Sequence, residues 1–413
     1  MLGGADGEAA AFAMRLVVRA AEAVTADELI DVTRAHVDSC LYHGQASLDF
    51  ADRLVAGGGR VRVPTTLNVG AIDLVHPELW RGSPRDAERG RMLMDRYRAL
   101  GCRPSFTCAP YQLPDARPHF GEQVAWGESN AIAFCNSVLG ARTNRYGDFI
   151  DVAAAIVGRV PYAGLHRTEE RRARLVLRIG ADVPRRLLDD DSFYPVLGLV
   201  VGRRAGSAVA AIDGLPPGVS EDRLKAVGAA AASSGAVAMF HVVGTTPEAA
   251  TLDAALQGEP AYEVAEMILA ELRAARAELT TAEGEALRAV SLGTPHASLS
   301  ELMRIGEFFG GDRVAPGVEC LISTGRDVLA AAEESGVAAR LRTAGVELLV
   351  DTCSYIAPIL RSGTGAVMTD SGKWAYYAPG NIGAEVVFGS TADCVRSAIA
   401  GRVMRDEELW AVA

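Results

Sequence analysis

The fold class is decided by residues 319–334, ECLISTGRDVLAAAEE, where an apolar run passes into a polar loop and then into a helical pattern. The pattern predicts a buried strand over Glu319 to Ile322, a loop as far as Arg326, and a helix over Asp327 to Glu334. Further strands that lead into polar loops are predicted over Phe240 to Val243, Ala289 to Leu292, Val346 to Val350 and Val386 to Phe388. This alternation predicts an α/β protein with several parallel strands, in which ligands bind beyond the carboxyl ends of the strands.

The first half of the chain shows a less regular pattern. We expect helices over Glu8 to Ala23, Ala26 to Val37 and Asp86 to Leu100, and strand-like segments over Val61 to Val69 and Pro104 to Thr107. In the second half, Thr246 and Pro247 suit the start of a helix, and Ser298 to Glu301 form a candidate capping box. The expected domains are residues 1–170, 171–285 and 286–413.

Composition excludes several classes of protein. The chain has 413 residues, 49% hydrophobic and 23% charged, with a net charge of −11, which makes sequence-independent nucleic-acid binding improbable. The N-terminus lacks a secretory signal, so we expect a cytoplasmic protein. Ala226 to Pro247 carries no charged side chain, but glycines and serines interrupt it. An alanine-rich helix that ends near Ser233, followed by a strand over Val237 to Val243, explains it better than a membrane span.

Two of the seven cysteines stand out because polar residues follow them at the end of an apolar strand. Cys108 lies in the segment Thr107 to Tyr111, and Cys353 follows Asp351 and Thr352. The chain has no C-x-x-C pair, so thiols that bind a metal must come from distant segments. The alternative is that each is an ordinary buried core cysteine.

Polar residues in other loops are candidates for binding a small anion. The segment Glu128 to Arg145 is rich in amide, hydroxyl and guanidinium groups, which suit a carboxylate or phosphate. His296 is the best placed histidine, because it lies in a loop between a strand and a helix. Lys373 could neutralise a carboxylate or transfer a proton. The competing interpretations are a solvated loop, a structural histidine and a surface lysine.

Several motifs, taken together, resemble the large, catalytic part of the aconitase X family. They occur in order along the chain, and the longest is highly specific. They are Pro64 to Val69, Thr107 to Tyr111, Asn136 to Arg145, His241 to Gly244, Gly293 to His296, Asp351 to Cys353, Lys373 to Gly380 and Val386 to Gly389.

The resemblance implies an aconitase-like fold of several parallel-sheet α/β subdomains around a central crevice. It also implies an iron-sulfur cluster and the dehydration of a small hydroxy acid. The family dehydrates either cis-3-hydroxy-L-proline or mevalonate 5-phosphate, and the continuation Asn144 to Phe149 looks closer to the hydroxyproline type. The family's small swivelling domain, which bears a catalytic serine, is not expected in this chain, so a small subunit of the family is the expected partner.

The resemblance also assigns roles to single residues. Cys108 and Cys353 match the metal ligands, Cys135 is the best remaining thiol, and Cys320 and Ser323 stay open as alternatives. The expected catalytic residues are Lys373, Ser129 and Asn130. The expected substrate-binding residues are Thr65, Thr66, Asn68, Arg142, Thr143, Asn144 and His296.

Two alternatives belong to other functional classes. One is an enzyme that uses Cys108 as a nucleophile activated by a histidine such as His296. The other is a scaffold subunit with a decayed site, which the serine at position 323 suggests.

Overall fold

A computed structural model describes residues 1–411, and the first structural unit extends to residue 161. Its helices are α1 Glu8–Ala23, α2 Gln45–Ala56, α3 Pro84–Ala99, α4 Ser129–Phe134 and α5 Ile150–Val157. Its strands are β1 Leu29–Asp31, β2 Ala35–Val37, β3 Thr65–Leu67, β4 Ala125–Trp126 and β5 Arg159–Pro161. The central strand β2 pairs in parallel with β3 on one side and β4 on the other, while β1 pairs antiparallel with β5. The carboxyl ends of β2, β3 and β4 therefore meet at one edge.

The helix expected over Ala26 to Val37 is wrong, because these residues form β1 and β2. The segment holds the β-branched residues Val32, Thr33 and Val37, which favour extended backbone when neighbouring strands are present. The strand expected over Pro104 to Thr107 is also absent among the described residues, and this stretch is an irregular loop. Whether each of these two segments forms a strand depends on hydrogen bonding to distant segments. The local periodicity of hydrophobic residues does not indicate such pairing.

The second unit is a four-stranded parallel sheet with helices. Its strands are β6 Leu175–Ile179, β7 Ala210–Asp213, β8 Phe240–Val242 and β9 Glu263–Met267, in the order β8-β7-β6-β9. Its helices are α6 Arg185–Leu188, α7 Phe193–Ala205, α8 Glu221–Ser234, α9 Leu252–Leu256 and α10 Leu269–Glu278. A Cβ atom at Gly198 would lie 2.3 Å from the carbonyl oxygen of Val227, so only glycine lets α7 approach α8 this closely.

The uncharged stretch Ala226 to Pro247 forms most of α8 and then β8, as predicted. Across the described residues, no helix combines the length and apolar character that crossing a bilayer requires. The helix expected to start at Pro247 is wrong. The Thr246 hydroxyl accepts a hydrogen bond from the Val242 amide at 2.9 Å, which makes a turn, and α9 begins five residues later, capped by Thr251.

The third unit is a five-stranded parallel sheet in the order β12-β11-β10-β13-β14. The strands are β10 Leu287–Ala297, β11 Glu319–Thr324, β12 Glu347–Leu349, β13 Ala366–Thr369 and β14 Val386–Phe388. The helices are α11 Leu299–Phe309, α12 Arg326–Glu334, α13 Val337–Thr343, α14 Gly372–Ile382 and α15 Thr391–Ala400. The capping box of Ser298 and Glu301 is confirmed. Because β11 and β13 flank β10 on opposite sides, the chain reverses direction across the sheet at β10, where open α/β sheets bind ligands.

Buried polar contacts join the units. The Arg171 guanidinium is wholly buried and binds the Glu248 carboxylate, the Asn136 side chain and the carbonyl oxygens of Leu165 and Ala141. It thereby ties the first unit to the second. Helix α14 of the third unit packs against α7 and α8 of the second. The predicted α/β class with parallel sheets is confirmed.

Candidate active site

Cys108, His296 and Cys353 come together from three distant segments. One potential ligand atom of each lies within 4.8 Å of the others, and all three side chains are buried. Backbone at positive φ, which is costly for residues other than glycine, precedes both cysteines: φ is 40° at Phe106 and 63° at Asp351. Such strain persists only where surrounding contacts hold it, and it gathers at functional sites.

The Cys353 loop is held by the carboxylate of Asp351. Arg326, at the start of α12, donates two hydrogen bonds of 2.6 Å to this carboxylate, and the Leu74 amide donates a third at 3.1 Å. The Asp351 carbonyl oxygen accepts from the Gly70 amide at 2.7 Å. The loop is thus fixed by both the first and third units.

The two thiols suit a bound cation. A hydrogen bond to Cys108 and burial raise the pKa of Cys353 well above its usual value, so thiolates at this position require nearby positive charge. Three buried hydroxyl groups near the ends of β10, β11 and β12 lack a hydrogen-bond partner within residues 1–411: Thr294, Ser323 and Thr352. Orphaned polar atoms beside paired thiols fit a metal group bound between the loops.

His296 is held in one tautomer. Its Nε2 lies 3.3 Å from the carbonyl oxygen of Thr352, to which it can only donate, and its Nδ1 lies 3.0 Å from the Thr107 hydroxyl. Burial lowers its pKa to about 4, so the ring is neutral. The His296 amide donates to the sulfur of Cys108 at 3.2 Å. With both ring nitrogens occupied, this histidine suits orientation of the thiol loops better than coordination.

Lys373 and Glu128 form a buried ion pair. Lys373 lies in the first turn of α14, and Glu128 follows β4 with a φ of 62°. Burial alone would lower the pKa of Lys373, but the Glu128 carboxylate outweighs it and raises that pKa well above the usual value. The raised pKa favours the charged form of the lysine, and its burial rules out the surface-lysine alternative.

Asn130 couples this ion pair to the thiols. Its amide nitrogen donates to the Cys108 carbonyl oxygen at 3.0 Å and also to Glu128. Its oxygen accepts from the Tyr111 hydroxyl at 2.8 Å. Ser129 lies beside them, with its hydroxyl 3.4 Å from a Glu128 oxygen. The three expected catalytic residues, Lys373, Ser129 and Asn130, are thus in one cluster.

Most of the expected substrate-binding residues instead make internal hydrogen bonds. Arg142 donates to the His166 carbonyl oxygen, Thr143 joins Trp126 to Asn144, and Asn144 binds the loop at residues 163–165. Thr65 and Thr66 bind the Val63 carbonyl oxygen and the His36 ring. These contacts hold the backbone around the site, and the expected role of these five residues in substrate binding stays a prediction. Asn68 differs from these five residues, because its amide nitrogen donates to the side-chain carboxylate of Asp38, which is itself close to the site.

Cys135 does not join the ligand group. It lies in a π-helical turn at residues 135–139 and packs among Ala131, Phe134 and Tyr111. The buried alternative Cys320 packs in the core of the third unit. Cys135 as the third metal ligand therefore stays a prediction, and its thiol does not lie in the group of Cys108, His296 and Cys353. Of the three candidates, Ser323 has the orphaned hydroxyl.

Asp38 was not among the residues expected in the site, and Glu128 was expected only as the first residue of a polar segment without a role of its own. Asp38 follows β2, and Glu128 comes two residues after β4, at the edge where the first sheet's strands end. β4 has only two residues, which is too short for a period-two pattern to reveal. The helix wrongly expected over Ala26 to Val37 concealed the strand before Asp38.

Comparison with known proteins identifies the family. Models of the aconitase X first, second and third domains match residues 1–169, 173–277 and 287–400. The chain belongs to the aconitase X family. A crystal structure of Thermococcus kodakaraensis aconitase X, in its holo form, covers 96% of this chain with a TM-score of 0.86 and 31% identity, and this chain covers 97% of it. The aconitase-like fold expected from the sequence is thereby confirmed.

Curated relatives within the aconitase X family are dehydratases. A cis-3-hydroxy-L-proline dehydratase of Pseudomonas aeruginosa is 43% identical over 99% of this chain and 70% of its own length. One of Hypocrea jecorina is 42% identical over 97% of this chain and 67% of its own length. A phosphomevalonate dehydratase large subunit of Methanothermobacter thermautotrophicus is 36% identical over 96% of both chains.

Proposed function

We propose that this aconitase X protein dehydrates cis-3-hydroxy-L-proline to 1-pyrroline-2-carboxylate. The observation that carries the proposal is the nearly full-length similarity to two dehydratases of this amino acid, at 43% and 42% identity. Similarity to the phosphomevalonate dehydratase large subunits is lower, at 30–36%. The buried ion pair beside two thiols supplies the chemistry that such a reaction needs.

The reaction removes one molecule of water. A proton leaves C2 and the hydroxyl group leaves C3, which gives an enamine that tautomerises to the cyclic imine. The C2 proton is weakly acidic, so the site must stabilise the negative charge that develops on the substrate carboxylate as this proton leaves. Lys373 is suited to this task, because it remains cationic and Asn130 and Glu128 fix its surroundings.

Cys108 and Cys353 would hold an iron-sulfur cluster between their loops. When bound, the cluster supplies Lewis-acid assistance to the departing hydroxide. The chain contributes the fixed geometry of both loops, through the Asp351–Arg326 pair and the neutral His296.

A small subunit of the aconitase X family is the proposed partner. The proposal is supported by relatives that are named large subunits and are matched over 91–97% of this chain. A serine of that subunit is the proposed base for the C2 proton. We also propose a cytoplasmic location.

The alternative in which Cys108 is a nucleophile is disfavoured by geometry. A histidine that activates a thiol must offer it an unprotonated ring nitrogen. The ring nitrogens of His296 instead face Thr107 and Thr352, and only its backbone amide meets the sulfur.

The test is turnover by anaerobically purified protein with the family's small subunit. We expect cis-3-hydroxy-L-proline to be converted to 1-pyrroline-2-carboxylate, detected by mass spectrometry, and the protein to contain iron and acid-labile sulfide. Lys373→Met serves as the inactive control. Conversion of mevalonate 5-phosphate alone would favour the other dehydratase of the family, and a complex with neither iron nor turnover would favour the scaffold alternative.

A further inference from the structure

Asp38 and Asn68 lie side by side at the strand ends of the first sheet. Asp38 follows β2 and Asn68 follows β3, and the Asn68 amide nitrogen donates to a carboxylate oxygen of Asp38. The amide oxygen of Asn68 is buried and has no hydrogen-bond partner within residues 1–411. Asp38 is partly exposed, and within the same range its carboxylate accepts from Asn68 alone. Two acceptors are therefore available in one place.

This pair is close to the groups already described. Val69, the residue after Asn68, packs against Cys108 and Cys353. On the other side, a Cβ atom at Gly127, next to Glu128, would lie 3.1 Å from the Asp38 Cβ. The pair therefore lies near both the thiol loops and the loop that carries Glu128.

The backbone of Asp38 is held rigidly. The carboxylate of Asp151 accepts hydrogen bonds from the Asp38 amide at 2.6 Å, from the Ser39 amide at 3.0 Å and from the Ser39 hydroxyl at 2.9 Å. It also accepts from the Val152 amide. Asp151 is thus fully occupied, whereas Asp38 presents its side chain from a fixed position. Such rigidity is what a binding group needs.

We propose that Asp38 and Asn68 bind the ring nitrogen of the substrate, and that this contact selects a cyclic amino acid over a hydroxy acid that lacks an amine. The proposal rests on the proposed function. A pyrrolidinium nitrogen carries two N–H donors, which match the Asp38 carboxylate and the free Asn68 oxygen. Lys373 supplies the opposite charge for the carboxylate of the same zwitterion. A phosphorylated hydroxy acid offers no N–H group and would meet a repelling carboxylate.

The charged groups around Asp38 set its ionisation. Burial raises the pKa of Asp38 to about 8, and the carboxylates of Glu128 after β4, Asp148 in the loop before α5, and Asp151 in α5 add to the shift, while the hydrogen bond from Asn68 opposes it. A bound ammonium would compensate this negative charge. Preference for an amine should therefore increase as the pH rises through about 8.

The test compares two competitive inhibitors that differ only in the ring atom: L-proline and (S)-tetrahydrofuran-2-carboxylate. The complete enzyme should bind L-proline more tightly, and Asp38→Asn should reduce that preference at least tenfold, as expected for loss of a charged hydrogen bond. Asp148 is exposed, and Asp148→Asn removes a nearby charge without changing the contact to Asn68. This control should change the preference for L-proline by less than about twofold. In the unmutated protein, the preference should grow with pH through about 8, which tests the proposal even if Asp38→Asn fails to fold.

The outcomes separate this proposal from the proposed function. Turnover of cis-3-hydroxy-L-proline with an unchanged inhibitor preference in Asp38→Asn would overturn the role of Asp38 and leave the activity intact. A collapse of kcat at an unchanged preference would also overturn it, because Asp38 would then act on the reaction and not on the ring nitrogen. Failure of the unmutated complex to turn over this substrate would overturn the proposed function itself.

Discussion

Replacing Lys373 by methionine should destabilise the protein and remove most of its activity. The variant removes the cation that faces Glu128, whose side chain is only 5% exposed. Breaking a buried ion pair by removing one partner costs about 3–5 kcal/mol.

The loss of unfolding free energy in Lys373→Met should therefore be about 3–5 kcal/mol, because the Glu128 carboxylate is left buried without its partner. The double variant with Glu128→Gln removes both charges, so its stability should return to within about 2 kcal/mol of the unmutated protein.

Urea unfolding at pH 7 measures these free energies, and turnover is measured on the same samples. Lys373→Met and the double variant should both lose about 10²–10³-fold in kcat, because both lack the cation that stabilises the developing charge. Recovered stability without recovered activity would separate the catalytic role of Lys373 from its structural one. A Lys373→Met protein as stable as the unmutated one at pH 7, or a double variant as unstable as Lys373→Met, would refute the ion-pair reasoning.

Three further predictions concern stability and metal content. The pKa of Asp38 is raised from its usual 3.8 to about 8, so between these pH values the folded protein keeps a proton on this carboxyl that the unfolded chain has lost. The free energy of unfolding therefore falls as the pH rises through this window. Asp38→Asn should be more stable than the unmutated protein by on the order of 1–3 kcal/mol at pH 8 in thermal or urea unfolding, and no gain would contradict this. Cys353→Ser should lose most of its iron in elemental analysis while Cys135→Ser keeps it, and equal loss in both would argue against the ligand group. In Arg171→Lys, a single ammonium group replaces the several N–H donors that the guanidinium directs at Glu248 and the surrounding carbonyl oxygens. Urea unfolding should show that the free energy of unfolding falls by about 3–5 kcal/mol. A fall below about 1 kcal/mol would show that these guanidinium contacts are dispensable.

Strand ends could be located from sequence where a strand is long and leads directly into a helix. Residues 319–334 show this. Cys353 could also be placed near a sheet edge, because it follows the apolar segment that forms β12. The position of Cys108 beside it has another origin, because residues 104–107 form an irregular loop and not the expected strand. The order of the strands in the sheets could not be predicted from these local patterns.

The sequence could not predict the roles of polar side chains that depend on their hydrogen-bond partners. Arg142, Thr143 and Asn144 have the composition of an anion site, yet their donors are used by nearby backbone. Conversely, Asp38 and Glu128 gain their importance from strands of two and three residues, which carry almost no periodic signal. Which donor is left free is a property of packing, and packing is decided between distant segments.

The most direct test of the proposed function is the ratio of kcat/KM for cis-3-hydroxy-L-proline to that for mevalonate 5-phosphate, measured on the anaerobic complex with the small subunit. We expect a ratio above about 10³, because a site built to bind the ring N–H groups leaves its polar atoms unpaired with an amine-free substrate. A ratio below one, with 1-pyrroline-2-carboxylate absent from the products, would contradict the proposal.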